Sequence, residues 1–418
     1  MNSGLYKNFL WFGIALFLIF TPLPRGAVQV WSFVPVMGII FFLVFVWLWR
    51  LNNYKDHKLQ PTPLDLPIIL FFLLAIVSSI FSMHKHDSAY ALLKLFSYIG
   101  LFYLIVNNFD YCMIRRMIVL TICIGTALSL YGLLQYFGIF PHDWWRKNHL
   151  LASTYANHNH FSGYLELVMP VTLGVLLKSG KDNLFARVFL MGALMVMMVA
   201  LIFAQSRGAW ICLAVAFCVM SIILVKRSNI AKTTALISLL LLVFIFSYIY
   251  LSNPKISERL DTIVEVQVEE DSFQARLSVW QSSVKMIKQH PLVGTGIGAF
   301  RWGFSRFRPE KLATVGVRFA HNDYLHMAVE MGVLAPLIMF LIFIMVIRTG
   351  LTIANYHLDI LGCCVGVLSL ALHGLVDFNF HIPANMLLVV AYAAFIMNKS
   401  YLGQGKSVHG ESDIKKSI

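Results

Sequence analysis

Charged residues, cysteines and acidic side chains are all scarce in this chain. Asp, Glu, Lys and Arg make up 13% of its 418 residues, whereas soluble domains carry about 25%. Hydrophobic residues make up 59% of the chain. This composition excludes a soluble globular protein. The apolar runs are continuous and about 20 residues long, which predicts an all-α, polytopic membrane protein.

The six cysteines have neither zinc-site nor disulfide spacing. They lie in or beside apolar runs, so we interpret them as small core residues, with a redox role for Cys363-Cys364 left open. The net charge of +13 does not indicate a nucleic-acid partner, because most of it lies in short loops between apolar runs. The glycines of Gly294-Thr295-Gly296-Ile297-Gly298 follow no βαβ strand, so they predict a tight turn and not a dinucleotide site.

About twelve apolar segments are predicted to span the membrane. They lie near 9–24, 28–49, 64–82, 89–107, 116–140, 160–177, 186–205, 209–225, 233–251, 321–347, 358–376 and 384–398. With the N-terminus inside, 17 Lys and Arg residues fall on the cytoplasmic side and 5 in the short outside loops. This asymmetry predicts both termini in the cytoplasm and the long loop outside, which is the periplasm if the protein lies in a bacterial inner (cytoplasmic) membrane.

Four regions follow from this reading. Nine transmembrane helices occupy 1–251, one large periplasmic loop containing helices occupies 252–320, three more transmembrane helices occupy 321–398, and a polar cytoplasmic tail occupies 399–418. The first apolar run lacks a small-residue cleavage site, so we expect a retained helix. The loop holds ten Lys and Arg residues, which suits a phosphate-bearing, lipid-linked substrate.

Two arginines on the outer side are candidate phosphate ligands. Arg207 lies in Gln205-Ser206-Arg207-Gly208, a tight link between two spans, where an Arg is costly unless it snorkels or binds an anion. Arg276 lies beside the apolar stripe of a predicted amphipathic helix, which consists of Phe273, Leu277, Trp280, Val284 and Ile287. Guanidinium groups match phosphate oxygens in a bidentate way. A non-functional interpretation remains for each arginine. Arg207 would then only mark the membrane interface, and Arg276 would be a solvated residue on its helix.

His321-Asn322-Asp323-Tyr324-Leu325 stands where the loop meets the next apolar run. Histidine is the common general base near neutral pH, so His321 is the candidate catalytic residue; a capping cluster with a bystander His is the alternative. Deeper in the span, His326 and Glu330 share a helix face, either as a functional pair or as a structural one.

Two further clusters rich in His and Asn contain His158 and Asp377. Neither has a standard zinc pattern, and a mixture of His, Asp and Asn does not select a metal. We therefore predict that these clusters either hydrogen-bond sugars or satisfy the helix ends, with no metal and no cofactor. Among transporters, polar residues are expected along a path through the membrane; here they cluster on the outer side, which favours surface chemistry.

In combination, these motifs resemble the O-antigen ligase and Wzy-type O-antigen polymerase superfamily, over residues from about 150 to 390. The motifs are Ser206-Arg207-Gly208, the Arg276 to Trp280 spacing, the glycine turn, His321 to Leu325, the entry at Asn157-His158 and Asp377 to Asn385. The resemblance implies a metal-independent, integral-membrane glycosyltransferase of the GT-C type, which acts in lipopolysaccharide biosynthesis. Such enzymes take a glycan from undecaprenyl diphosphate.

Carried over residue by residue, the resemblance implies that Arg207 and Arg276 bind the donor diphosphate and that His321 activates the acceptor hydroxyl. Asn322, Tyr324, His158 and Asp377 are predicted to contact the substrate. The expected acceptor is the lipid A core, as for an O-antigen ligase, because the single dominant loop lies just before the His. A polymerase of O-antigen or exopolysaccharide, a protein O-oligosaccharyl ligase and, in a different class, a lipid or polysaccharide transporter stay open. Partners are membrane lipids and the two glycan substrates, with no nucleic acid.

Overall fold

The structure is a computed structural model that describes residues 3–53, 59–140, 150–179, 183–225, 273–312, 316–353 and 357–402. Within these ranges the regular elements are helical, and the single β contact is an isolated bridge between Arg25 and Tyr155. The all-α prediction is confirmed there. Two short 3₁₀ turns, Glu310–Leu312 and Asn379–His381, connect longer helices.

The α-helices of these ranges are numbered in chain order. They are α1 (Ser3–Phe20), α2 (Val30–Asn53), α3 (Asp65–Ile80), α4 (Lys85–Asn108), α5 (Tyr111–Tyr136), α6 (His158–Lys178), α7 (Leu184–Ala204), α8 (Arg207–Val225), α9 (Phe273–Gln289), α10 (Phe300–Phe304), α11 (Asp323–Met331), α12 (Leu334–Ile353), α13 (Leu358–His373), α14 (Pro383–Met397) and α15 (Lys399–Leu402).

Seven of these helices are long and apolar enough to cross a membrane: α2, α4, α5, α6, α7, α8 and α12. Four more apolar helices, α1, α3, α13 and α14, are shorter. Together they indicate a multi-pass membrane protein, and all of them except α12 coincide with the predicted segments to within about six residues. The predicted span 233–251 and the first part of the predicted loop lie outside the described residues, so the count of twelve stays a prediction.

The prediction of one continuous span over 321–347 is wrong. Helix α11 ends at Met331, and α12 begins at Leu334 after a break at Gly332, where φ is +82°. A Cβ on Gly332 would lie 2.2 Å from the carbonyl oxygen of Leu292, so the backbone of the glycine turn presses against this point. The span prediction missed the break because the glycine lies within a run that is apolar on average, and its contact with Leu292 is 40 residues away in sequence.

Helices α6 and α13 pack together at the centre of the bundle through glycines. A Cβ on Gly362 of α13 would lie 2.5 Å from the carbonyl oxygen of Pro170 on α6. A Cβ on Gly174 of α6 would lie 2.2 Å from the carbonyl oxygen of Leu358. Small residues let helix backbones approach closely in membranes, where packing and not hydrophobicity drives association.

We expect Gly362→Val to destabilise the bundle by about 1–3 kcal/mol, because the added side chain has no room against α6. The measurement is the thermal unfolding midpoint of the purified protein in detergent. Gly192→Val on α7 is the matched control, since a Cβ there meets no atom within 4 Å. Equal midpoints for the two variants would contradict the close contact between α6 and α13.

Helix α9 presents a different face to the protein from the one its apolar stripe predicts. Leu277 and Val284 of that stripe are exposed, at 41% and 43%, whereas Val279 and Met286 are buried. The packed face also carries serines whose hydroxyls find internal acceptors, such as Ser283, Oγ to Val279 O at 2.8 Å. Arg276 lies on this face because positions 276, 279, 283 and 286 are three or four residues apart.

The cysteine interpretation is correct for half of the six. Cys212, Cys363 and Cys364 are buried, whereas Cys112, Cys123 and Cys218 are exposed on the helix surfaces. All six are free thiols.

Candidate active site at the 374–378 turn

The candidate site is built around the turn that follows α13, residues 374–378. The predicted site residues reach this turn from separate elements of the fold. Three of its carbonyl oxygens accept hydrogen bonds: Gly374 O from Asp323 N at 2.7 Å, Leu375 O from Asn322 Nδ2 at 2.8 Å, and Val376 O from Arg276 Nη1 at 2.7 Å. The turn is therefore the point at which α9, α11 and α13 meet.

Arg276 is half-buried on the packed face of α9. Its Nη1 donates to the carbonyl oxygen of Val376, while its buried Nε has no hydrogen-bond partner in the described part of the chain. A guanidinium has five N–H donors in a rigid fork, so one anchored arm leaves others for a ligand. This geometry fixes the plane of the group before any anion arrives.

His321 lies beside Asp377 in the turn. Its Nδ1 is 3.7 Å from Asp377 Oδ1, a distance within ion-pair range, and 23% of its side chain is exposed. The ring stands edge-on to Phe378 with 4.9 Å between ring centroids. His321 precedes α11, which begins at Asp323, and its backbone is left-handed with φ of +50°. With Nδ1 toward the carboxylate, Nε2 is the nitrogen left to accept a proton.

Asp377 is buried yet ionised. Burial alone would raise the pKa of this carboxyl, but the His321 side chain and the Arg276 guanidinium lower it more, with smaller effects from His160 and His373, so the pKa lies well below its ordinary value. Its Oδ1 accepts from the Phe378 amide at 2.8 Å. A fixed negative charge behind Nδ1 stabilises the imidazolium that forms when His321 takes a proton.

The start of α8 lies against the same turn. Gln205 adopts a left-handed conformation with φ of +53°, and the helix then begins at Arg207. A Cβ on Gly208 would lie 2.9 Å from His373 Nε2 and 3.3 Å from Val376 Cγ2, so only glycine allows this approach. Arg207 is half-buried at the positive end of the helix dipole, where N–H groups and the dipole favour an anion.

Several buried polar atoms around the turn lack a hydrogen-bond partner among the described residues. Most buried polar atoms in native proteins are satisfied, so a cluster of exceptions requires an explanation. A polar ligand that carries both acceptor oxygens and hydroxyl donors supplies one, because the set contains donors such as Arg276 Nε and an acceptor, Asp377 Oδ2. The atoms are Ser206 Oγ, Arg276 Nε, His321 Nδ1, Asp377 Oδ2 and both ring nitrogens of His160.

The other predicted substrate ligands lie at the edges of the site. Asn322 caps α11 by accepting from Leu325 N at 2.9 Å, and its amide also holds the turn, so its side chain is largely occupied. The Tyr324 hydroxyl donates to the carbonyl oxygen of Ala371 at 2.7 Å. His158 is half-buried at the first position of α6. The structure thus brings His321, Arg276, Asp377 and the start of α8 together and gives Asn322 and Tyr324 bonds that shape the site.

Three residues near the turn were not among the predicted ligands: His160, Glu166 and His373. His160 is 5% exposed, and its ring stands edge-on to Phe378, with centroids 4.7 Å apart. His373 Nδ1 is 2.7 Å from Glu166 Oε1. A buried glutamate in an apolar helix was the available signal, since such residues usually have a partner and a function. The sequence could not show that partner, which lies 207 positions further along.

One buried cluster has the composition of a metal site. Ligand atoms of His326, Glu330 and His381 all lie within 4.8 Å of one another. However, His326 Nδ1 accepts from the Ala320 amide at 3.3 Å, which places the ring proton on Nε2. That proton faces Glu330 Oε1 at 3.2 Å, where the lone pair of a metal ligand would be needed. The cluster is therefore a hydrogen-bonded pair that fixes α11, and the structural reading of His326 and Glu330 fits it.

A comparison with family models gives a match over part of the chain. Residues 192–341 match the family model described as O-Antigen ligase (Wzy_C). The resemblance to the O-antigen ligase and Wzy-type superfamily is thereby confirmed. Members of that family are membrane glycosyltransferase-like enzymes, and the family implies lipid-linked glycan substrates. No curated protein was found to match the chain.

The matched segment contains part of the candidate site. Arg207, Arg276 and His321 lie inside it, whereas His158 and Asp377 lie on either side of it. The carboxylate that faces His321 therefore comes from outside the matched segment.

Proposed function

We propose that the protein is an O-antigen ligase that transfers a glycan from undecaprenyl diphosphate to the lipid A core. The reaction is an inverting displacement that uses no metal. The observation that carries this proposal is the convergence of Arg276, the start of α8 and the His321–Asp377 pair on one turn, with partnerless polar atoms between them. Arg276 and the start of α8 suit a diphosphate, and the His321–Asp377 pair suits a hydroxyl nucleophile.

The donor end of the site is cationic. Arg207 and Arg276 bind the diphosphate, and the N-terminus of α8 adds its dipole. Negative charge grows on the diphosphate oxygens as the bond to the sugar breaks. Preorganised donors aimed at that charge are worth about 2.7–4 kcal/mol each in a site that excludes water. Arg276 meets the requirement of preorganisation because the carbonyl oxygen of Val376 fixes its orientation.

The acceptor end contains the base. His321 Nε2 takes the proton of the acceptor hydroxyl as that oxygen forms a bond with the anomeric carbon. The bond between the anomeric carbon and the diphosphate oxygen breaks, and undecaprenyl diphosphate leaves with the electron pair. Asp377 compensates the imidazolium charge. One displacement inverts the anomeric configuration. His158, which is half-buried at the start of α6, hydrogen-bonds the glycan.

The site faces the periplasm in this proposal, with both termini in the cytoplasm. Its support is the distribution of Lys and Arg, 17 on the cytoplasmic side against 5 in the short outside loops. Positive residues near helix ends favour the cytoplasmic side. A lipid-linked donor in the outer leaflet then reaches the turn laterally from the bilayer.

The test is a transfer assay with purified protein, an undecaprenyl-diphosphate glycan and EDTA. Parallel reactions contain lipid A core, a second lipid-linked glycan or a pilin-type protein as acceptor. Glycan on the lipid A core supports the ligase. Longer lipid-linked chains would make the protein a polymerase, and glycosylated protein would make it a protein ligase. If no acceptor is glycosylated while donor crosses the bilayer of proteoliposomes, the transporter alternative replaces the enzyme.

A further inference from the structure

We propose that His373 is a further donor-binding residue, whose Nε2–H donates a hydrogen bond to a phosphate oxygen of the lipid-linked diphosphate. Glu166, on the neighbouring helix α6, is its positioning residue. This inference rests on the proposed function, because it takes the diphosphate to bind at the start of α8. It adds a neutral or cationic imidazole donor to a subsite that otherwise consists of arginines.

The position of His373 carries the first step. It is the last residue of α13, is 1% exposed, and directs Nε2 at the start of α8, where a Cβ on Gly208 would approach it to 2.9 Å. Ser206, the residue before that helix, is also 1% exposed, and its hydroxyl has no partner among the described residues. Two buried polar groups thus border the same helix N-terminus, beside the turn that Arg276 contacts.

The tautomer of His373 follows from a chain of amides. Asn385 Nδ2 donates to the carbonyl oxygen of His160 at 2.9 Å. A carbonyl oxygen only accepts, so the side-chain amide of Asn385 must point its nitrogen, and not its oxygen, at that carbonyl. The same nitrogen donates to Asn379 Oδ1 at 3.0 Å, which leaves Asn379 Nδ2 facing His373 Nδ1 at 3.2 Å. An N–H directed at Nδ1 makes Nδ1 the acceptor. The ring proton is therefore on Nε2, the nitrogen that faces the site.

Glu166 fixes the ring from the membrane side. The carboxylate is completely buried, its Oε2 accepts from the Ser369 hydroxyl at 2.9 Å, and its Oε1 lies 2.7 Å from His373 Nδ1. Nδ1 has a single in-plane position, which is either a lone pair that accepts from Asn379 Nδ2 or, in an imidazolium paired with Glu166, an N–H. The ring carries a proton on Nε2 in both arrangements, and the second places a positive charge next to the phosphate.

A purely structural His–Glu pair would have both nitrogens of the histidine occupied by the protein. Here the contacts of Nδ1 are accounted for, whereas no acceptor in the described ranges is bonded to Nε2. His326 shows the contrast within the same chain, because both of its nitrogens have protein partners. Nε2 of His373 is thus the donor that remains for a ligand.

The experiment measures binding of undecaprenyl diphosphate to the full-length protein in nanodiscs, without acceptor. His373→Asn removes the N–H at Nε2, and we expect affinity to fall about ten- to a hundredfold, as for a lost hydrogen bond to a charged group. A Gln side chain is long enough to place an amide N–H near the position of Nε2, so His373→Gln retains more affinity than His373→Asn. Glu166→Gln raises the donor KM and leaves the acceptor KM unchanged.

His357→Asn is the matched control, because it is a buried histidine at the opposite end of α13 whose ring nitrogens have no partners in the described structure. Wild-type affinity in His373→Asn, with weakened binding in Arg276→Ala, would overturn the role of His373 alone. No measurable binding by the wild-type protein, or unchanged binding in Arg276→Ala, would instead overturn the proposed function. If His373→Asn does not fold, the donor and acceptor KM values of Glu166→Gln decide the question.

Discussion

His321→Ala is expected to slow glycan transfer by about 10²–10⁴-fold, the usual contribution of a positioned general base. Donor affinity should stay close to that of the wild type, because the imidazole faces the acceptor and not the diphosphate. The measurement is the single-turnover rate at saturating donor, together with the dissociation constant of undecaprenyl diphosphate. The separation of the two quantities is the signature of a residue that acts only on the chemical step.

The control for this prediction is His86→Ala. The side chain of His86 is 91% exposed and lies at the start of α4, away from the residues of the site. Its variant should transfer glycan at the wild-type rate. If the His321→Ala variant keeps its rate to within a few-fold, His321 is not the general base. If the variant loses donor binding, His321 binds the diphosphate instead.

Arg276→Ala is expected to lower kcat/KM by about 10²–10³-fold, since it removes a preorganised donor for the leaving group. Arg276→Lys should recover little of this loss. Arg276 holds the carbonyl oxygen of Val376 with one arm at 2.7 Å and keeps other N–H groups for the ligand. An ammonium group has no planar fork and cannot do both with the same geometry.

Lys285→Ala supplies the comparison on the same helix. Lys285 is exposed on α9, so its removal lowers the positive charge of the loop without touching the site. Equal losses in Lys285→Ala and Arg276→Ala would indicate that only the overall charge of the loop attracts the donor. Full activity in Arg276→Lys would contradict the anchored-fork geometry.

Much of the fold and part of the site could be predicted from the sequence. The apolar runs gave the helices because a segment that crosses lipid must satisfy its own backbone. Arg207, Arg276 and His321 were proposed as site residues because an Arg near a membrane span is costly without an anion and a His is the common general base. The structure adds that Arg276 and His321 lie at the 374–378 turn, that the start of α8 packs against the same turn through Gly208, and that Asp377 supplies the charge behind His321.

The remaining features depend on contacts between distant parts of the chain. The backbone at Gly332 packs closely against Leu292. The packed face of α9 depends on the residues beneath it, so local periodicity alone does not identify that face. His373 is not among the site residues predicted from the sequence. Its partner Glu166 is on α6, and nothing in either local sequence links the two.

The central claim is that the donor diphosphate binds at the 374–378 turn beside His321. A structure of the protein with undecaprenyl diphosphate bound tests it most directly. Diphosphate density is expected between the start of α8, Arg276 and His373, with the free end of the diphosphate directed at His321. Density for the diphosphate elsewhere on the protein, with Arg276 and the turn uncontacted, would contradict it.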